Sequence, residues 1–162
     1  MLFRSGWVAL STDGSFDDDG KAGTGMVLRD SNGAVIFTAF RSLANCNDAL
    51  EAEISAVMEG LALAQQWSED PIIIQTDCAS VIASLRDPIL NRSSYGHLYE
   101  EVKCLMNFRE VVLVKIACIQ NRVAHSLANF SRLGGGTACL VHHAPDCVSQ
   151  LVLADCNSIT EE

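Results

Sequence analysis

Apolar positions in this chain follow two periods, and the change from one to the other marks out the elements. Trp7 to Ser11 suits a short strand that ends in Thr12-Asp13-Gly14-Ser15. Gly23 to Arg29 and Ala34 to Arg41 are rich in Val, Ile, Met and Phe, and they flank Asp30-Ser31-Asn32-Gly33. Asn-Gly supplies the positive φ angles of a tight hairpin, so these runs should pair antiparallel and join the first strand in a meander. From Asn47 to Trp67 the period lengthens. Leu50, Ile54, Val57, Leu61 and Ala64 form one helical stripe, and Asp48 with Glu51 resembles a capping box at its start. Pro71 restarts the chain, and Ile72-Ile73-Ile74 reads as a strand buried on both faces. Ala79–Leu85 and Gly96–Phe108 read as helices, Val111–Ile119 as a strand, and Arg122–Leu133 as a helix stopped by Gly134-Gly135-Gly136.

The order β-β-β-α-β-α-α-β-α implies an α/β fold. Its mixed sheet has three antiparallel strands and then two parallel ones, with helices packed on it. Residues 1–136 make up the domain, and 137–162 form a less regular tail that packs on it or trails from it. Trp7 and Trp67 are assigned to packing.

Composition narrows the function classes. The chain has 162 residues, 49% hydrophobic and 19% charged, enough for one domain with a proper core and too apolar for disorder. No apolar run approaches the roughly 18 residues that span a bilayer. Met1 to Thr12 lacks the apolar core of a secretory signal, which points to an intracellular protein of nucleus or cytoplasm. The start at Met1 so close to the first strand hints at a piece of a longer gene product. Seven cysteines without a Cys-x-x-Cys pair fit reduced thiols better than a disulfide framework. A net charge of −9 argues against strong non-specific binding of nucleic acid, which needs Lys and Arg. It leaves room for nucleic-acid chemistry in which divalent cations supply the positive charge.

Three carboxylates stand out by position. Asp13 closes the first strand beside a glycine. Asp77 follows the Ile-rich strand at its carboxyl end, where open α/β sheets present ligand-binding residues; the competing role is the cap of the next helix. At 100° per residue Glu59 points about opposite to the apolar stripe, Glu51 about 100° away and Glu53 only about 60° away. Glu59 should then be solvated, while Glu53 sits at the edge of the face meeting the sheet, where a carboxylate loses water and needs a partner. Oxygen ligands gathered from separate elements are what hard divalent ions require. Two such ions about 4 Å apart activate water and stabilise a leaving phosphodiester oxygen.

The set of motifs resembles the ribonuclease H fold, and within it the reverse-transcriptase-like ribonuclease H domains abundant in plant genomes. The matching stretches are Thr12-Asp13-Gly14-Ser15, Gly25 to Gly33, Glu51-Ala52-Glu53 through Leu61, Gln75-Thr76-Asp77-Cys78 and Asn121 to Ala128, with Pro145 and Asp155 further on. The resemblance implies an endonuclease that hydrolyses the RNA strand of RNA/DNA hybrids with Mg²⁺ or Mn²⁺, two ions being expected with substrate. It implies Asp13, Glu53 and Asp77 as metal ligands, and Gly14, Ser15 and Asn121 at the substrate. The fourth acidic position of the family falls at His125, which keeps a catalytic place as an auxiliary group that can bind a metal or move protons. Cys118 stands where the family usually has an arginine, and no basic protrusion is present. Binding of the hybrid by a monomer is therefore expected to be weak, or assisted by another component.

Two rival readings follow from other features. The −9 charge, Cys118 and His125 also suit a ribonuclease H-fold module derived from a mobile element that binds nucleic acid or a partner without turnover. Cys139-Leu140-Val141-His142-His143-Ala144-Pro145-Asp146-Cys147 offers soft ligands for zinc, although at spacings unlike those of a finger.

Overall fold

The computed structural model describes residues 4–160, and for 155–160 the backbone only, so the Asp155 side chain lies outside the described residues. Three antiparallel strands come first: β1 (Val8–Phe16), β2 (Ala22–Arg29) and β3 (Val35–Leu43). Helix α1 (Ala49–Trp67) leads to β4 (Ile72–Thr76), then α2 (Ala79–Arg86), α3 (Gly96–Leu105) and β5 (Val111–Lys115). Helix α4 (Arg122–Phe130), β6 (Ala138–Val141) and α5 (Asp146–Thr160) complete the order. The sheet runs β5-β4-β1-β2-β3-β6, with β4 parallel to both β1 and β5. No helix among the described residues is long and apolar enough to cross a membrane.

The meander forms as the pattern requires, with one adjustment at its turn. Among the described residues of that turn only Gly33 takes a positive φ, 84°. Asp30 does the rest, its Oδ1 accepting the backbone N–H groups of Asn32 and Ala34. At the start of α1 the Asp48 carboxylate accepts the Glu51 N–H at 2.9 Å, and the Glu51 carboxylate accepts the Asn47 N–H at 2.7 Å. Two orphan donors are thereby satisfied, and the helix proper begins at Ala49.

The sheet separates two apolar layers. Val8, Leu10, Met26, Leu28, Phe37, Ile72 and Ile74 face α1, α2 and α3, while Val27 and Phe40 on the other side meet Val123 and Leu127 of α4 and Val148 of α5. Helix α4 lies over β2, β1 and β3 and leaves the β4 side of that face less covered. Ile73 is accordingly half-buried, so β4 is sealed on one face rather than two.

Other expectations need correction. Segment 137–162 carries a sixth strand, β6, paired antiparallel with β3 from Phe37 to Phe40, followed by a helix. Strand β5 stops at Lys115 and gives way to a 3-10 turn over Cys118–Gln120, where the Gln120 side chain accepts the Ala117 N–H at 2.9 Å. Glu59 is not solvated: Arg41 lies 2.6 Å from its carboxylate and Thr24 donates to it at 3.1 Å. Trp67 keeps about half its surface exposed.

Candidate active site

Register brings the first two acids together. Parallel pairing of β1 with β4 runs from Val8↔Ile72 to Ser11↔Gln75 and stops there. Asp13 and Asp77 each lie two residues past that last pair, so both project beyond the same end of the seam. Strand β1 does not end at Asp13 as expected; it continues to Phe16, paired with β2. Gly14 is therefore a mid-strand residue, and no turn requires it. Its service is close approach, since a Cβ there would overlap the backbone of Ala52 and Glu53. Asp77 does not cap α2: the cap position is Cys78, whose own N–H is taken by Thr76 Oγ1 at 3.1 Å.

Helix α1 supplies Glu53 from the middle of its sheet-facing side. Gly60, seven residues on and so about 20° from Glu53 around the helix, faces Leu10 and Thr12 of β1. The buried residues Ala52, Ala56 and Gly60 define that face, and a stripe drawn through large apolar residues alone misplaces it. One oxygen of each of Asp13, Glu53 and Asp77 comes within 4.8 Å of the others. Among the described residues no other group of three or more His, Cys, Asp or Glu side chains is gathered this way. The Cys139–Cys147 segment thus brings no zinc ligand set together.

Crowding has an electrostatic cost. Burial first, then the Asp13 charge, pushes the Glu53 carboxyl up to about 9. Asp13, only 3% exposed, is also raised by burial, opposed by its hydrogen bonds to His125 and Glu53. Glu53 thus holds a proton that it donates to Asp13, with the Gly14 N–H as a further donor. Its Oε2 is buried without a hydrogen-bond partner. Three carboxylates, a trapped proton and an orphaned oxygen fit a divalent cation of the oxygen-preferring kind, which would replace the proton and satisfy the oxygen.

Helix α4 completes the cluster. Gly25 is the register partner of Asp13 on β2, and a Cβ there would overlap the Ala124 carbonyl and the Ala128 N–H. The bare glycine lets α4 settle on the sheet beside Asp13, and His125 Nδ1 comes 2.7 Å from Asp13 Oδ2. On its other edge His125 Nε2 lies 3.1 Å from Asn129 Nδ2. Ser15 donates to Asn129 Oδ1 at 2.7 Å and accepts from Arg132 Nε at 2.7 Å, and Arg132 also pairs with Asp17 at 2.9 Å. Asn121 is buried, its amide donating to the Thr12 carbonyl at 2.8 Å, which ties the start of α4 to β1.

Sequence reasoning missed Asn129, Arg132 and the partnership of Asp17. One signal was available: Asn129 and Arg132 follow His125 at helical spacings of four and seven. Cys118 is exposed, and its hydrogen bond to Asp77 holds the thiol above the usual range. Asp77, Cys118, Arg122, His125, Ser126 and Leu151 line a shallow cavity of about 240 Å³ beside the acids.

Comparisons with known proteins bear on the family and the fold. A family model described as reverse transcriptase-like matches residues 11–131. No curated protein sequence matches the chain. Among solved structures, RNase H1 from the halophilic archaeon Halobacterium salinarum NRC-1 superposes with a TM-score of 0.72 at 20% identity, over 78% of this chain and 97% of that one. LC11-RNase H1 in complex with an RNA/DNA hybrid gives 0.71 at 17% identity, over 79% and 98%. The N-terminal RNase H domain of rv2228c from Mycobacterium tuberculosis gives 0.71 at 21%, over 79% and 94%.

Proposed function

The chain belongs to the reverse transcriptase-like family and has the ribonuclease H fold, and from that premise we propose that it is a metal-dependent endonuclease cutting the RNA strand of RNA/DNA hybrids. One observation carries the reading: Asp13, Glu53 and Asp77, from three separate elements, offer oxygens within 4.8 Å of one another, with one Glu53 oxygen buried and unpartnered. Asp13, Glu53 and Asp77 would hold Mg²⁺ or Mn²⁺, two ions with substrate. When bound, such ions activate water for attack on phosphorus and stabilise the leaving oxygen.

The chain's own residues supply the rest. Glu53 would give up its proton to hold a cation, Asp13 is held by the His125 ring, and the 240 Å³ cavity with Arg122 on its wall would receive the backbone beside the scissile phosphate. Gly14 and Ser15 follow Asp13 on β1 and act on the site through the helices they meet, Gly14 by admitting α1 and Ser15 by holding Asn129 and Arg132. Asn121 acts from beneath, by fixing α4 against β1. All three acids come from one chain, which supports a monomer, and the same reading carries the expectation of a nuclear or cytoplasmic protein.

The test is cleavage of a labelled RNA/DNA hybrid by the purified chain in Mg²⁺ and separately in Mn²⁺, with Asp13→Asn as the control for contaminating nuclease. Cation-dependent cleavage that the variant loses is the expected result. No cleavage in either cation by folded protein replaces this reading with that of a non-catalytic binding module.

A further inference from the structure

Four hydrogen bonds join Arg132 to Asp13 through Ser15, Asn129 and His125, and their directions follow from one end. An arginine nitrogen only donates, so Ser15 Oγ accepts from Arg132 Nε at 2.7 Å. The hydroxyl has one proton, and Asn129 Oδ1 at 2.7 Å takes it. Turning the amide over would leave that proton without an acceptor on a residue that is 9% exposed. With the carbonyl fixed, Asn129 Nδ2 faces His125 Nε2 at 3.1 Å and donates to it. Nε2 is then bare of hydrogen, and the ring's proton sits on Nδ1, 2.7 Å from the acceptor Asp13 Oδ2.

We propose that Arg132, Ser15 and Asn129 are positioning residues that lock His125 as the neutral Nδ1–H tautomer, so that the ring orients Asp13 by donating to it and has no lone pair left for a cation. His125 therefore does not replace the fourth acid as a ligand. It fixes the carboxylate plane of Asp13, as outer hydrogen bonds fix ligands in metal sites generally. The catalytic consequence rests on the nuclease reading above; the tautomer does not.

Two-bond ¹H–¹⁵N correlation spectra of the full ¹⁵N-labelled chain, at a pH above the ordinary histidine range, read the tautomer directly. His125→Gln identifies the signals among the four histidines. Wild type is expected to carry the proton on Nδ1 alone. Asn129→Asp sets only acceptors against Nε2 and is expected to put a proton there, beside the one that Asp13 keeps on Nδ1. Ser15→Ala frees the amide to turn and should give a mixture, which Ser15→Thr restores to a single form. In cleavage assays Asn129→Asp should lower kcat about 10- to 100-fold with KM little changed.

A wild-type ring protonated at Nε2, or an Nε2 still bare in Asn129→Asp, overturns the lock. An Nε2 protonated in Asn129→Asp with undiminished kcat overturns the positioning role. A wild type with the expected tautomer that cleaves no hybrid sinks the nuclease reading instead and leaves the lock standing.

Discussion

Replacing Glu53 by Gln should make the metal-free protein more stable, and by an amount that grows with pH. In the folded chain Glu53 holds its proton to about 9, against an ordinary value of 4.5. A folded value raised above the unfolded one means that this residue's contribution is fully present below 4.5 and is lost as pH rises through about 9. At pH 7 the unfolded chain has already released the proton, and the 2.5 units between 4.5 and 7 correspond to about 3 kcal/mol at ~1.4 kcal/mol per unit. Water that still reaches the half-buried group trims this to about 2 kcal/mol. Glutamine keeps the shape, and its N–H can donate to Asp13 in place of the trapped proton. At roughly 2–4 °C per kcal/mol for a chain of this size, the variant should melt about 4–8 °C above wild type at pH 7 in chelator. At pH 5 the two should nearly coincide. Manganese should close the gap at pH 7 by stabilising only the chain that binds it. A variant that melts lower, or a difference that does not change with pH, refutes the assignment of Glu53 as the strained member of the cluster.

Three further outcomes are expected. Asp77→Asn should abolish hybrid cleavage with the melting temperature within a few degrees of wild type, because Asp77 caps nothing; failure to fold would show a structural role instead. Gly14→Ala drives a methyl into the α1 backbone and should cost about 2–3 kcal/mol, read by urea unfolding, whereas an unchanged midpoint would mean the two elements separate freely. Arg109→Ala should lower stability by about 1–2 kcal/mol in the same assay. The guanidinium donates to the Gln65 and Ser68 carbonyls at the end of α1, and an effect below about 0.5 kcal/mol would show that water replaces it there.

The sequence carried the acids further than it carried their surroundings. Asp77 was legible because it follows the end of β4, while Asp13 was legible only by its Asp-Gly pair, since β1 runs on past it; their meeting needs only the β1–β4 register. Glu53 was legible through helical period, but its place was read as marginal. Ala52, Ala56 and Gly60 weigh little in an apolar stripe, yet small size is what lets α1 approach β1. The same oversight left Glu59 in water, when β2 and β3 supply Thr24 and Arg41 to meet it. Gly14 lies within a strand rather than at a turn, and its lack of a side chain is what matters. Strand β6 spans only Ala138–Val141, too few residues for a period to show, and it exists because β3 offers an edge. Ser15 and Asn129 lie 114 residues apart, and no local pattern links them.

The contact of His125 with Asp13 and the net charge of −9 bear on one another. A hybrid brings phosphates to a cleft already holding three carboxylates, where each uncompensated charge repels the next. Arg132 adds little positive charge, being paired with Asp17. Arg122 lines the cavity, but one arginine does not balance three acids. A fourth carboxylate at position 125 would deepen the repulsion; a ring donating to Asp13 relieves it. On the nuclease reading, divalent ions must then supply both the charge that admits the phosphodiester and the charge that activates its hydrolysis. Substrate affinity and turnover consequently share a single requirement, and on the nuclease reading a chain stripped of cations should neither cut the hybrid nor hold it.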